Sequence, residues 1–308
     1  MTHAKLSGSL LACKEAPATP PPPRQGVAAP SVALVPAAGE DARLLADRLK
    51  ALKLPAFLRE YDALARQCAA EGLAHWRYLS RLAEIELNER HARRVERLIR
   101  KARFPAVKSL DDFDFAAIPS LDRRLVQELA QCEYLARREN IVAVGGIGTG
   151  KTHLAIGLGL AACRKGHSVG FTTAAALVHE LIEARAGRRV MRLERRLDAC
   201  GLLIIDDFGY APLSGAGTEL LFEVVSRRSE RGSTIITSDL PIKEWVGVFG
   251  SERLTGALLD RLSWRLHIIE MNGESYRLEH GNRRPPPFST VADLPRRTMR
   301  LAADRGAP

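Results

Sequence analysis

The fold of this chain is decided by an octapeptide near its middle, Gly145-Gly146-Ile147-Gly148-Thr149-Gly150-Lys151-Thr152. It follows a β-branched run and precedes an apolar helical segment, which is the context of a phosphate-binding loop. Its glycines let backbone N–H groups approach phosphate oxygens, and the helix that follows directs its positive end at the same anion. We predict that these eight residues bind ATP, with Lys151 on the β- and γ-phosphates and the Thr152 hydroxyl on Mg²⁺.

A second stretch ends in two carboxylates, Leu202-Leu203-Ile204-Ile205-Asp206-Asp207. Four consecutive aliphatic residues are typical of a central strand buried on both faces. A carboxylate at the end of such a strand faces the crevice where open α/β sheets bind ligands. We therefore predict that Asp206 acts on Mg²⁺, directly or through its water shell, and that Asp207 orients or deprotonates the attacking water. With Lys151, they are catalytic candidates.

From Asn140 onward, short β-type runs alternate with helical segments. The predicted strands are Ile141–Val144, Val169–Thr173, Leu202–Asp206, Thr234–Ser238 and Leu266–Met271. Strands joined by helices form βαβ units, whose strands run parallel. Residues 139–280 are therefore predicted to be an α/β domain, a P-loop NTPase core with a mainly parallel, five-stranded sheet.

The residues before this domain have a helical pattern. Residues 41–138 are predicted to form a small, basic, all-helical domain that binds DNA or a partner. Ala74–Arg103 is predicted as a long helical stretch, and Ser120–Leu135 as one amphipathic helix capped by Ser120. The Pro-rich segments 1–40 and 281–308 are predicted to be disordered tails.

The composition favours a polyanionic partner. The 308 residues carry a formal net charge of +10, which suits nucleic acid or an anionic surface, or only solubility. The long helical stretch has cations at Arg90, Arg93, Arg94, Arg97, Arg100, Lys101 and Arg103. Another basic stretch between strands two and three is a candidate for contact with DNA phosphates: Arg188, Arg189, Arg192, Arg195 and Arg196.

The compartment is predicted from two patterns. No apolar run approaches the roughly 20 residues that a membrane span needs, so no membrane association is expected. The five scattered cysteines have neither metal-site nor disulfide-framework spacing. We expect a soluble protein in the reducing cytoplasm.

Polar and basic residues near the end of the core are further candidates. Thr237, Ser238 and Asp239 follow the fourth predicted strand, where they either sense a γ-phosphate or form an ordinary turn. Arg253, Arg261 and Arg265 precede the last strand. An arginine there either completes a neighbouring subunit's site or belongs to a solvated helix face.

Several stretches together resemble the IstB-like ATPases, over about residues 41–280. They are GGIGTGKTHLAIGLGLAACRKGHSV, LLIIDDFGYAPLS, STIITSDLP and LTGALLDRLSWRLHIIEMNGESYRLE. IstB-like ATPases are helpers of transposases in bacterial insertion sequences, belong to the AAA+ superfamily and are related to the DnaC helicase loaders. The resemblance implies an AAA+ core, ATP-driven homo-oligomers on double-stranded DNA with little sequence specificity, and recruitment or activation of a cognate transposase.

The resemblance also implies roles for single residues. Asp239 falls at the sensor-1 position, and Arg261 falls at the position of an arginine finger that acts in trans. Two residues depart from the AAA+ pattern. Asp207 stands where Glu is common, so slow hydrolysis is expected. Asp239 stands where an amide is common, and an acid facing a γ-phosphate repels it, which shifts weight to Thr237 and Ser238.

Three other functions share parts of this pattern. A DnaC-like replicative helicase loader has the same core motifs, and only its partner and gene neighbourhood distinguish it. A small-molecule kinase uses the same loop, but no acceptor pocket or arginine-rich lid is evident in the sequence. A DNA-binding switch that binds ATP and hardly hydrolyses it is compatible with Asp207.

Overall fold

The structure, a computed structural model, describes residues 39–209, 215–263 and 265–276. The predicted tails, 1–40 and 281–308, lie outside the described residues except for residues 39 and 40. The chain divides between Leu54 and Pro55 into two units. The first contains helix α1 (Glu40–Ala51), which has acidic residues in its first turn and basic residues in its last, as the helix dipole favours.

A five-stranded sheet forms the centre of the second unit. The strands are β1 (Asn140–Gly145), β2 (Val169–Thr173), β3 (Leu202–Phe208), β4 (Ser233–Ser238) and β5 (Leu266–Met271). Their order is β2-β3-β4-β1-β5, and every neighbouring pair is parallel. A five-stranded parallel sheet confirms the predicted fold class. Because all five strands are parallel, their carboxyl ends meet at one edge.

Helices cover both faces of the sheet. After β1 come α6 (Lys151–Arg164), α7 (Ala174–Ala186), α8 (Val190–Asp198), α9 (Gly215–Arg228), α10 (Trp245–Phe249) and α11 (Glu252–Ser263). Side chains alternate between faces along a strand. Ile141 and Ala143 accordingly join the core on the α6 side, and Val142 joins the core under α7, α9 and α11. Burial on both faces explains the unbroken aliphatic run of β3.

In the second unit, the α-helices before the sheet are α2 (Pro55–Ala70), α3 (His75–Ala102), α4 (Arg123–Ala130) and α5 (Glu133–Arg137). Ile99 of α3 and Val126 of α4 lie in the same hydrophobic core as Ile141 and Ile156. The predicted domain boundary between residues 138 and 139 stays a prediction. None of the described helices is both long enough and apolar enough to cross a bilayer.

The single helix predicted over Ser120–Leu135 is wrong in two respects. Asp122 is the N-cap, because its carboxylate accepts hydrogen bonds from the amides of Arg124 and Leu125, at 2.8 and 3.2 Å. Ser120 instead donates from its hydroxyl to the Asn272 carbonyl oxygen, at 2.8 Å. The helix also breaks at Cys132, whose φ of 61° is left-handed, and α5 begins after it.

Candidate nucleotide-binding site

The predicted phosphate loop connects the end of β1 to the first turn of α6. At two of its positions, Gly145 and Gly148, a side chain would be too close to neighbouring atoms. A Cβ on Gly145 would lie 2.2 Å from the Met271 carbonyl oxygen of β5. Gly148 has a φ of +83°, and a Cβ there would lie 2.2 Å from the Ser275 hydroxyl. The loop is thus pressed against residues 271–275, and its backbone N–H groups precede a helix N-terminus, where an anion is favoured.

Lys151 is buried at the base of this loop, with 6% of its surface exposed. Its ammonium group donates to the carbonyl oxygens of Gly145 and Gly146, at 2.9 and 2.6 Å. It also forms an ion pair with Asp239, at 2.6 Å. The structure therefore brings the predicted phosphate-binding lysine and the predicted sensor-1 residue together. A phosphate that binds Lys151 shares the ammonium group with a carboxylate.

Asp206 and Thr152 lie side by side next to the loop. The Thr152 hydroxyl donates to Asp206 Oδ1 at 3.0 Å, and Asp206 is 4% exposed. Magnesium in nucleotide sites prefers oxygen ligands and is held by one or two protein groups, water and substrate phosphates. The Asp206 carboxylate and the hydroxyl of Thr152, the residue after Lys151, are in contact and fit that set of ligands. They are the pair expected to hold Mg²⁺.

Asp207 faces the cleft, whereas Thr237 and Ser238 of the neighbouring strand β4 are buried. Asp207 has a left-handed backbone, with φ of 55°, and its exposed side chain lines the cleft above the loop. Thr237, predicted as a possible γ-phosphate sensor, is 1% exposed and is directed at the two aspartates. Its hydroxyl accepts from the Asp207 amide at 3.1 Å and donates to Asp206 Oδ1. Ser238 donates its hydroxyl to the Phe208 carbonyl oxygen at 2.7 Å.

One wall of the cleft comes from a segment that the sequence analysis assigned to the helical region. Between α3 and α4, the cleft-lining residues are Lys108, Asp112, Phe113, Asp114, Ala117 and Ile118. Phe113 packs edge-on against His153 of α6, with 5.2 Å between ring centroids. This wall combines an aromatic and an aliphatic side chain beside the phosphate loop, which suits the base of a nucleotide. The signal that could have identified it is the motif DDFDF (residues 111–115), whose aromatic residues lie outside any helical pattern.

His153 fixes this wall to the loop helix. Its Nε2 lies 2.8 Å from the Ser109 carbonyl oxygen. Burial lowers the pKa of His153, against the smaller opposing effect of this contact, and so favours the neutral ring. On the other side of the cleft, the Tyr276 amide donates to the Gly148 carbonyl oxygen at 3.2 Å.

Arg261 lies away from the cleft of its own chain. It is exposed on α11, as is Arg253, and neither lines the cleft. Arg265 donates to the Arg137 carbonyl oxygen at 2.6 Å, which ties the start of β5 to α5. The action of Arg261 in trans therefore stays a prediction.

Comparisons with known proteins point to one family. The family model described as IstB-like ATP binding protein matches residues 47–284. The chain is 37% identical over 231 residues to an ATP-binding protein of insertion sequence IS21 from Pseudomonas aeruginosa, covering 75% of this chain and 87% of the relative. It is 37% identical over 227 residues to that of IS5376 from Geobacillus stearothermophilus, covering 74% and 90%. A solved DnaC helicase loader, 20% identical, covers 48% of this chain and 86% of its own, with a TM-score of 0.43.

The close approach of Gly145 to β5 predicts a difference between two adjacent glycines. Gly145→Ala is expected to lower the free energy of unfolding by about 2 kcal/mol or more, because backbone must move to admit the methyl group. Gly146→Ala is the matched control, since the nearest atom to its Cβ, Thr149 Cγ2, is 3.7 Å away. Urea unfolding without nucleotide measures both. Equal losses in the two variants would contradict the geometry.

Proposed function

Since the chain belongs to the family of IstB-like ATP binding proteins, we propose that it is a Mg²⁺-dependent ATPase that helps a transposase. In this proposal, ATP drives the assembly of a homo-oligomer on double-stranded DNA, and the assembly recruits or activates the cognate transposase. The curated relatives are named as ATP-binding proteins of insertion sequences, which supports a transposase helper over a helicase loader.

The observation that carries the ATPase proposal is the contact between Thr152 and Asp206, 3.0 Å apart, beside the buried ammonium group of Lys151. Lys151 neutralises charge on the phosphates, and the loop amides orient them. Bound Mg²⁺ would supply further neutralisation of the phosphate oxygens. Asp207, in the cleft, orients or deprotonates the attacking water. Its side chain is one methylene shorter than Glu, which is consistent with slow hydrolysis.

Assembly supplies the remaining part of the site. Arg261 is exposed on α11, where it is available to a neighbouring subunit. An arginine that reaches the neighbour's nucleotide stabilises the charge of the transition state only after assembly. Hydrolysis would then depend on the oligomer, and the oligomer on ATP.

Ion pairs within α3 change where a DNA surface is expected. Three of the cations predicted to face DNA pair with a glutamate four residues earlier on the helix: Arg90 with Glu86 at 2.7 Å, Arg93 with Glu89 at 2.6 Å, and Arg100 with Glu96 at 2.7 Å. Arg100 and Glu96 are both exposed, and such a surface pair is weak, whereas Glu86 is buried, with 5% of its side chain exposed. In each pair the glutamate cancels part of the arginine's charge, so α3 offers less positive charge to a phosphate than its cation count indicates.

The end of α7 and the start of α8 offer more unpaired positive charge than α3. An arginine patch is exposed there, and within the described residues none of its members has a carboxylate within 4.0 Å: Arg185, Arg188, Arg189, Arg192 and Arg195. The acids of the same stretch contact other groups. Glu194 pairs with Arg227, and Asp198 pairs with Arg227 and Arg231. We infer that the arginine patch makes the larger share of the DNA phosphate contacts.

The first test of the proposal is the variant Lys151→Ala. It is expected to lose ATP hydrolysis and ATP-dependent assembly on duplex DNA, because the phosphates lose their buried cation. Lys165→Ala, at the far end of the same helix, is the control and is expected to retain both. Phosphate release and size-exclusion chromatography with DNA provide the two readings. Wild-type turnover by the Lys151→Ala protein would refute the site.

The second test compares two pairs of arginines. The binding constant K for DNA falls with salt, and each phosphate contact that is lost reduces the magnitude of the slope of log K against log salt by about 0.9. The double variant Arg188→Ala/Arg192→Ala is therefore expected to make the slope for duplex DNA less steep, by about 2. Arg93→Ala/Arg100→Ala is the matched control and is expected to change it less. Fluorescence anisotropy over a range of NaCl concentrations measures both, and a larger effect of the α3 pair would place the DNA on α3.

A further inference from the structure

The register between strands β3 and β4 shifts at one point beside the cleft. Ile205 pairs with Ile236, and the next pair is Phe208 with Ser238. Between these pairs β3 has two residues, Asp206 and Asp207, whereas β4 has only Thr237. The extra residue is a β-bulge, and its left-handed backbone falls on Asp207, with φ of 55°. Aspartate tolerates this conformation better than most side chains, but it still needs support from its surroundings.

The support comes from one hydroxyl group. Thr237 Oγ1 accepts a hydrogen bond from the Asp207 amide at 3.1 Å and donates its own proton to Asp206 Oδ1. A threonine hydroxyl has a single proton, so donation to Asp206 fixes its direction and leaves its lone pairs for the amide. The same Asp206 oxygen accepts from Thr152. Thr237 thus holds the backbone of one aspartate and the side chain of the other.

We propose that Thr237 is a positioning residue for ATP hydrolysis, and this inference rests on the ATPase function proposed above. Its hydroxyl stabilises the bulge that keeps the Asp206 carboxylate against Thr152 while the Asp207 side chain faces the cleft. Thr237 is buried and does not line the cleft itself. It therefore acts through the two aspartates, without touching the nucleotide.

Removal of the hydroxyl has separable consequences. The Asp207 amide loses its acceptor and Asp206 loses one of two donors, so both carboxylates can leave their positions. The glycine loop and Lys151 keep their contacts, because neither involves Thr237. The rate of the chemical step is therefore expected to fall, while the affinity for ATP without Mg²⁺, which the loop and Lys151 provide, is retained.

The test compares Thr237→Val, which replaces the hydroxyl by a methyl group of similar size, with Thr237→Ser, which keeps the hydroxyl. Thr237→Val is expected to lower kcat about ten-fold or more, with the Kd for ATP measured in EDTA changed less than about three-fold. Thr237→Ser is expected to stay within about three-fold of the wild-type kcat. Thr237→Ala serves as a second variant without the hydroxyl if the valine protein does not fold.

A second reading does not depend on turnover. Hydrogen exchange of the Asp207 amide, followed by NMR, is expected to be about ten-fold faster in Thr237→Val and to return toward the wild-type rate in Thr237→Ser. If the wild type fails to hydrolyse ATP, the proposed function fails, whereas the exchange rates still test the role of Thr237. Unchanged exchange, a serine variant as slow as valine, or equal proportional losses of kcat and affinity would each overturn the inference.

Discussion

The hydrogen bond between Thr152 and Asp206 is the interaction on which the rest of the site depends. Thr152 follows β1 through the loop, Asp206 lies near the carboxyl end of β3, and β4 lies between those two strands in the sheet. Only a parallel arrangement places the carboxyl ends of all three strands at one edge. Thr237 of β4 occupies the position between them. The sheet order, and not any single motif, therefore builds the site.

Charge is distributed over the described surfaces in a way that composition does not reveal. Lys151 is paired with Asp239 in the cleft, and three of the seven α3 arginines are paired with a glutamate of their own helix. The arginine patch of α7 and α8 differs because the neighbouring acids contact other side chains. A net charge of +10 is thus a sum over surfaces of very different character.

The sequence predicted the sheet well, because each strand contains at least two consecutive β-branched or aliphatic residues. β2 and β5 were predicted to the residue, β1 is longer by one residue at each end, and β3 and β4 are longer by two residues and one residue at a single end. The bulge at Asp207 could not be predicted, since it depends on the register between strands distant in sequence. The cleft wall at Phe113 was missed because its position depends on packing against His153, 40 residues later in the chain, although the motif DDFDF marked it. The pairs on α3 were predictable from their four-residue spacing, which the count of cations alone ignored.

The central claim is that the loop at residues 145–152 and the Thr152–Asp206 pair together bind ATP with Mg²⁺. Calorimetric titration of the wild-type protein with ATP, in Mg²⁺ and again in EDTA, tests it most directly. The account predicts saturable binding of one nucleotide per chain that is tighter in Mg²⁺ than in EDTA. No saturable binding at millimolar ATP with Mg²⁺ would contradict it.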